Sequence, residues 1–558
     1  MTQPLPAVGA RYTDAEIAEF YAAGYWQRTG LFDLLETHAG ATPDKTFVFD
    51  STNGYTYREL RDAAVQLAAA LQRLGVGRGD RVVVQLPNWS EFALFIAALA
   101  RLGAVMVPIM PIYRDEEVAY VLAHSGAKVA VTCEEFKGYR YLDMFTRLRE
   151  RAPELSALVA VRTSEPLQPT GRATRLEDLL EQASPKYAAA QLADPAGPDD
   201  PFLIVYTSGT TARPKGCLHT FNTMRFSAEG IRKGVDYTAD DVQFGPSPIS
   251  HSTGAITSFV LPLIAGASSH LMEAWDPEEG LQRIQKYGCT VTVTATAFLQ
   301  MLLAGYDRDR HDPSALRLWI CAGSPIPGAV VERATSALSG CRVLSLYGRS
   351  ENFLTTMCTT ADDPVRSSTS DGSAIYGARV AIVDRDGKQV QAGEEGDIAY
   401  KGPGHMLEYF RDAEHTAELF TPDGYSRSGD LGVMDGDGFV RVTGRLKDIV
   451  IRGGLNISAR ELEDLLAGYS PFANVAVVAM PDERLGEKVC LYAVLAPGEE
   501  APSLADVVFH LREQKLATPK LPERLEIVDS LPMTATGKVQ KHVLRADIAA
   551  KLRPASAS

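Results

Sequence analysis

An apolar run, Phe202-Leu203-Ile204-Val205, leads without a break into Tyr206-Thr207-Ser208-Gly209-Thr210-Thr211-Ala212-Arg213-Pro214-Lys215-Gly216. The run predicts a buried strand, and the glycines and hydroxyls after it predict a loop. Backbone N–H groups in such a loop can converge on a polyphosphate. The hydroxyls add donors, and Lys215 adds a point charge. The loop is not of the Walker A kind: Pro214 stands where that pattern requires Gly, and Gly216 where it requires the Mg²⁺-binding Ser or Thr.

Around this loop, helical periods alternate with short β-branched runs. Residues 59–74 read as a helix, and 81–86 and 128–132 as strands. Alternation of this kind predicts an α/β fold with parallel sheets covered by helices. The longest apolar region, 92–110, is interrupted by Arg101 and Gly103. It reads as a buried helix (91–102) running into a buried strand (104–108), not as a membrane span. Thr13 is a candidate helix cap, and 379–400 reads as a hairpin with turns at Asp386-Gly387 and 393–396. Residues 164–201 read as a connecting segment with one short helix near 176–182.

A chain of 558 residues exceeds what one core usually serves. We place the boundary between Leu446 and Lys447, giving domains 1–446 and 447–558. The second is predicted as a small α+β unit: strand 448–452, a glycine turn, helix 459–466, strands 475–480 and 489–495, helix 503–515. The net charge of −14 argues against a nucleic-acid partner. The seven cysteines are scattered, with no Cys-x-x-Cys, so neither a disulfide framework nor a zinc site is indicated. With no signal peptide in residues 1–11 and no peroxisomal address at the end, a cytoplasmic protein without stable membrane association is expected, monomeric or homodimeric.

The loop at Tyr206–Gly216 resembles the signature of the adenylate-forming superfamily, which includes acyl-CoA ligases, peptide-synthetase adenylation domains and luciferases. Further motifs of that family follow in the same order: Thr56-Tyr57-Arg58-Glu59-Leu60, Leu102 to Pro108, Pro248-Ile249-Ser250-His251, Tyr347-Gly348-Arg349-Ser350-Glu351, Ser428-Gly429-Asp430, Gly444-Arg445-Leu446-Lys447-Asp448 and Thr534-Ala535-Thr536-Gly537-Lys538. The resemblance implies a large N-terminal domain of parallel and mixed sheets with a distorted β-barrel region, followed by a small mobile domain. ATP and Mg²⁺ are the implied cofactors and CoA the implied co-substrate.

Activating a carboxylate requires it to attack the α-phosphorus of ATP while pyrophosphate leaves. Both reactants are anionic, so fixed donors and positive charge are needed where charge builds up. The resemblance implies that Lys215 and the Thr207 to Thr211 loop hold the leaving phosphates, that Glu351 carries Mg²⁺, and that Ser350 approaches the α-phosphate. Tyr347 would stack on adenine, with Gly323-Ser324-Pro325 along the other face, and Asp430 and Arg445 would hold the ribose. Lys538 would bridge the carboxylate and α-phosphate oxygens. Arg452-Gly453-Gly454 would line the pantetheine channel, and Lys447 would be the hinge.

His251, Ser252, Ala322, Gly323, Gly348 and Arg349 are the candidate acyl-pocket residues. Tyr347 and His251 supply flat ring walls, while Gly323 and Gly348 leave room for a planar group. Ser252 stands where siderophore-type aryl-acid ligases carry Asn, which disfavours a hydroxybenzoate. Arg349 would touch a polar ring substituent or form a surface ion pair, the second being favoured. The implied substrate is a cyclic carboxylic acid, aromatic or alicyclic. The alternatives are a stand-alone adenylation enzyme loading a carrier protein and a medium- or long-chain fatty acyl-CoA synthetase.

Overall fold

The β-branched runs become inner strands of two large sheets, in a computed structural model that describes residues 5–163, 173–181, 189–190, 192–207, 214–323, 326–534 and 538–552. In the nine-stranded sheet, Ser268–Leu271, Val242–Gly245, Val291–Thr294, Leu318–Ala322 and Arg342–Tyr347 run parallel as consecutive neighbours. In the eight-stranded sheet, Pro201–Tyr206 lies parallel to Val105–Pro108 and antiparallel to Gly216–Thr220. Leu318–Ala322 and Val105–Pro108, buried at every residue, carry continuous apolar sequence, as strands covered on both faces do.

The helices form where capping and periodicity direct them. Thr13 caps Asp14–Ala22 and Thr56 caps Tyr57–Arg73, each closing a capping box with the Glu three residues on. Ser90–Leu102 is buried along almost its whole length and stops at Gly103, whose φ of +75° lies in the left-handed region that favours glycine. The apolar stretch is therefore a core helix and strand, as its interruptions predict. Among the described residues no helix is long and apolar enough to cross a membrane. The short helix after Arg175 spans Leu176–Leu180, and Gln182 lies outside the described residues.

Strands Arg379–Val383, Gly396–Lys401, Ser426–Met434 and Val440–Arg445 form a four-stranded antiparallel sheet in that order. The region expected as a distorted barrel takes this form. A three-residue 3₁₀ turn, Leu446–Asp448, joins its last strand to a separate C-terminal domain. There, Leu455–Ser458, Ile449–Arg452, Gly486–Leu495 and Phe472–Asp482 pair antiparallel, and Arg524–Ile527 adds in parallel to Gly486–Leu495. The period-2 pattern of Phe472–Asp482 serves two cores. Val477 packs with Leu462, Leu491 and Val507 on one face, while Ala476 and Val478 pack with Tyr492, Leu544 and Ile548 on the other. The sequence reading missed Leu455–Ser458, Arg524–Ile527 and helix Lys541–Leu552. The two strands are only four residues long and exist through pairing, not propensity.

Candidate active site

Parallel strands deliver the candidate groups from their C-terminal ends, the usual ligand edge of an open α/β sheet. Thr207 follows Pro201–Tyr206, Gly323 follows Leu318–Ala322, and Gly348 follows Arg342–Tyr347. Ser208, Gly209, Thr210 and Thr211 of the phosphate loop, and Ser324 and Pro325, lie outside the described residues. The loop's two ends meet where Thr207 N donates to Lys215 O at 2.8 Å.

The cleft between this edge and the small domain encloses about 290 Å³ and is lined by Gly323, Tyr347, Gly348, Asp430, Arg445 and Lys538, among others. Asp430 and Arg445 face each other in strand register, so their ion pair (2.7 Å) is set by the sheet itself. The Tyr347 hydroxyl donates to the other Asp430 oxygen at 2.8 Å. The Ser428–Asp430 stretch of strand Ser426–Met434 is held in place by Asp397, whose carboxylate accepts from the backbone N–H groups of Ser428 (3.2 Å) and Gly429 (3.0 Å).

Lys538 reaches this cleft from the other domain. Its backbone pairs with Thr534, Thr534 N donating to Lys538 O at 2.8 Å and Lys538 N donating to Thr534 Oγ1 at 3.1 Å. A Cβ on Gly323, whose φ is +78°, would lie 3.1 Å from Lys538 Cε and 3.6 Å from Nζ. Gly323 therefore makes room for the lysine, not for a planar acid. Burial, then the Arg445 guanidinium, brings the Lys538 ammonium down to about 8, while Asp430 and Glu351 oppose that shift.

His251 also borders Lys538. Its Nδ1 lies 3.4 Å from Thr253 N and caps the short helix Ser252–Ala255, while burial, then Lys538, lowers its imidazole to about 3. Its ring is therefore neutral at neutral pH. Ser252 Oγ lies 3.4 Å from His251 Nδ1, and Ala322 is buried at its strand end.

Two expectations for the acyl pocket change. A Cβ on Gly348 would lie 1.9 Å from the Phe353 carbonyl oxygen, so this glycine answers to a close backbone approach and not to a substrate ring. Arg349 forms no surface ion pair among the described residues. Its guanidinium donates to Ser426 O (2.9 Å), Ser426 Oγ, Arg427 O and Asn352 Oδ1 (3.1 Å). Backbone carbonyls satisfy its half-buried donors, and the result ties the Glu351 loop to the strand of Asp430.

Glu351 is held on both sides. Met406 N donates to its carbonyl at 2.7 Å, and Tyr409 Oη donates to Oε1 at 2.5 Å. The preceding carbonyl, of Ser350, is 2.8 Å from His219 Nε2, and burial lowers that imidazole to about 3. His219, Asp397 and Tyr409 were not singled out in the sequence, because no local signal marks them. Among the described residues, no cluster of three or more His, Cys, Asp and Glu could hold a metal. One half-exposed carboxylate with a second oxygen to offer suits Mg²⁺, which takes one or two carboxylates and completes its shell with phosphates and water.

The remaining marked residues belong to the turn after Arg445 and to the small domain. Lys447 is exposed in the 3₁₀ turn. Arg452 pairs with Glu523 at 2.8 Å, and Gly453 and Gly454 form an exposed turn with φ of +58° and +87°.

Residues 35–410 match the AMP-binding enzyme family, and residues 461–538 match the AMP-binding enzyme C-terminal domain. The chain belongs to this family of adenylate-forming acid–thiol ligases. It is 34% identical to the medium-chain fatty-acid–CoA ligase of Escherichia coli (97% of this chain, 94% of that protein). It is 33% identical to a Rhodococcus jostii ligase for a 7a-methyl-1,5-dioxo-octahydroindenyl propanoyl-CoA (93% and 99%). Its fold matches a crystal structure of an anthranilate CoA ligase in complex with anthranoyl-AMP, with a TM-score of 0.85 and 26% identity over 94% of this chain and 98% of that one.

Proposed function

We propose that this chain is an ATP-dependent ligase that joins a cyclic carboxylic acid to CoA. The observation that carries the reading is Lys538, which enters from the small domain to lie against Gly323 among Asp430, Arg445 and Glu351. An acid oxygen attacks the α-phosphorus, the P–O bond forms, and the bond to the bridging oxygen of pyrophosphate breaks. Lys538 follows the charge that develops between carboxylate and α-phosphate, Lys215 and the Thr207–Thr211 loop hold the departing phosphates, and Ser350 approaches the α-phosphate. Glu351 would hold Mg²⁺, which would neutralise charge on the phosphates. Tyr347 and Gly323, with Ser324 and Pro325, hold the adenine. The Asp430–Arg445 pair offers an acceptor and a donor to the ribose hydroxyls.

In the second half-reaction the CoA sulfur attacks the acyl carbon and AMP leaves. No cysteine nucleophile is needed, and all seven cysteines are buried. Lys447 in the turn between residues 446 and 448 serves as the hinge that exchanges Lys538 for the Arg452–Gly454 turn, and the domains divide at Leu446/Lys447.

The names of the R. jostii relative and the anthranilate ligase support a ring acid, and the neutral His251 ring is proposed as one wall of its pocket. A medium-chain fatty acid is the second reading, supported by the E. coli relative. Pyrophosphate release measured across benzoate, naphthoate, cyclohexanecarboxylate, octanoate and palmitate decides between them. The first reading expects the highest kcat/KM with a ring acid, and octanoate ahead of every ring acid contradicts it. Adding CoA or a phosphopantetheinylated carrier protein to the best acid then identifies the acceptor.

A further inference from the structure

Tyr409 belongs to none of the motifs that mark the site, yet it touches two of its charged groups. Lys215 Nζ lies over its ring, 4.9 Å from the centroid, while its hydroxyl donates to Glu351 Oε1 at 2.5 Å. We propose that Tyr409 is a positioning residue that stands between Lys215 and Glu351, keeping these opposite charges from neutralising each other and aiming each at its own part of Mg²⁺–ATP. The proposal rests on reading Glu351 as the Mg²⁺ carboxylate.

The geometry is rigid enough for such a role. Tyr409 is 5% exposed and lies opposite Cys217, two residues past Lys215, in the pairing of Glu408–Tyr409 with Gly216–Thr220. Leu407 N donates to Leu218 O at 2.8 Å, Phe410 N to Gly216 O at 2.7 Å, and Tyr409 N to Thr416 Oγ1 at 2.9 Å. The ring is thus fixed to the strand that leaves the phosphate loop. The Glu351 main chain is fixed separately, through Met406 N, and the Ser350 carbonyl through His219.

The chemistry follows from the two edges of the phenol. Its hydroxyl makes a charge-assisted bond that occupies Oε1 and leaves Oε2 for a cation. Its face attracts an ammonium weakly enough to release it to a phosphate. A direct Lys–Glu pair would satisfy both charges and leave neither for the nucleotide.

The test is calorimetric binding of ATP to the full-length protein in Mg²⁺ and in EDTA, so that the affinity gained from the metal is read without turnover. Glu351→Gln is expected to remove most of that gain. Tyr409→Phe is expected to reduce it about tenfold, the loss of one hydrogen bond to a charged group. Its affinity in EDTA should stay within about twofold of wild type, because the ring still faces Lys215. Tyr409→Leu, which removes the ring, is expected to weaken binding in EDTA as well. A full metal gain in Tyr409→Phe alongside a lost gain in Glu351→Gln overturns the proposal. So does an equal loss in Mg²⁺ and EDTA for Tyr409→Phe, or unchanged EDTA affinity in Tyr409→Leu. Retention of the gain by Glu351→Gln overturns the metal assignment instead, and the proposal with it.

Discussion

Two places in the small domain, Lys538 and the Arg452–Gly454 turn, carry equally clear motifs but stand in opposite surroundings. Lys538 is packed into the cleft against Gly323, with the pKa of its ammonium lowered by burial. Gly454 faces open space: a Cβ there would meet nothing within 4 Å. The neighbouring Ile451 and Leu455 leave apolar side chains 54% and 40% exposed. Positive φ explains why glycine suits the turn, but nothing packed around it explains why the turn must stay bare. On the function proposed above, this arrangement serves the lysine face, and the glycine face is used in another. Arg441–Asp464 (3.3 Å), Arg460–Asp371 (3.6 Å) and Ser458 Oγ to Thr443 O (2.5 Å) join the segments on either side of residues 446–448 and would have to break for the proposed exchange.

Separating the two faces by substitution gives the largest expected effect at Lys538. Lys538→Ala should lower acyl-adenylate formation about 10²- to 10³-fold, the usual scale for one charge-stabilising donor. Thioester formation from supplied acyl-adenylate should stay within about threefold. Pyrophosphate release and thioester appearance, measured separately, check this, and equal losses would erase the division between faces.

The opposite pattern is expected at the exposed turn. Gly454→Leu should slow thioester formation about 10- to 100-fold and leave adenylation nearly intact. It should also cost about 1–2 kcal/mol of stability, because a side chain is placed at φ +87°. Lys447→Pro, which fixes φ at the hinge, should share the kinetic pattern. Unchanged CoA turnover in Gly454→Leu would remove the turn from the channel.

A smaller effect sharpens the comparison through pH. The ammonium of Lys538 is the useful form, and its value near 8 lies below the ordinary lysine range. The charged form is therefore lost as pH rises through about 8, and adenylation should fall roughly tenfold per unit beyond it. Lys538→Arg, which stays charged, should flatten that limb. Thioester formation from supplied acyl-adenylate should show no matching inflection, and a shared one would assign it to another group.

Sequence carried the fold far because its signals are local: Thr13 and Thr56 cap the helices predicted there, and the 379–400 hairpin turns at Gly387 and Gly393. Lys538, Asp430, Arg445, Tyr347 and Glu351 were legible for a related reason, each lying in a short motif beside a strand end or turn. Tyr409 was not, since its partner Glu351 is 58 residues away and the contact exists only after strand pairing. Arg349 was misread in the same way: its acceptors are 77 and 78 residues distant main-chain carbonyls, which no charge pattern announces. Gly348 looked like space for a substrate because the Phe353 carbonyl that fills that space is brought there by a left-handed residue, φ +54°, with no sequence signature.

The claim that the small domain presents its two faces in turn is tested most directly by a distance measurement between spin labels on Leu455→Cys and Val365→Cys. Both positions are exposed, and the native cysteines are all buried and so protected from labelling. With ATP and Mg²⁺ alone, one distance population is expected, matching the arrangement in which Lys538 occupies the cleft. After acyl-adenylate forms and CoA is added, a second, distinct population should appear as the Gly453–Gly454 turn moves to the cleft. A single unchanged distribution under both conditions, with turnover intact, would contradict the exchange.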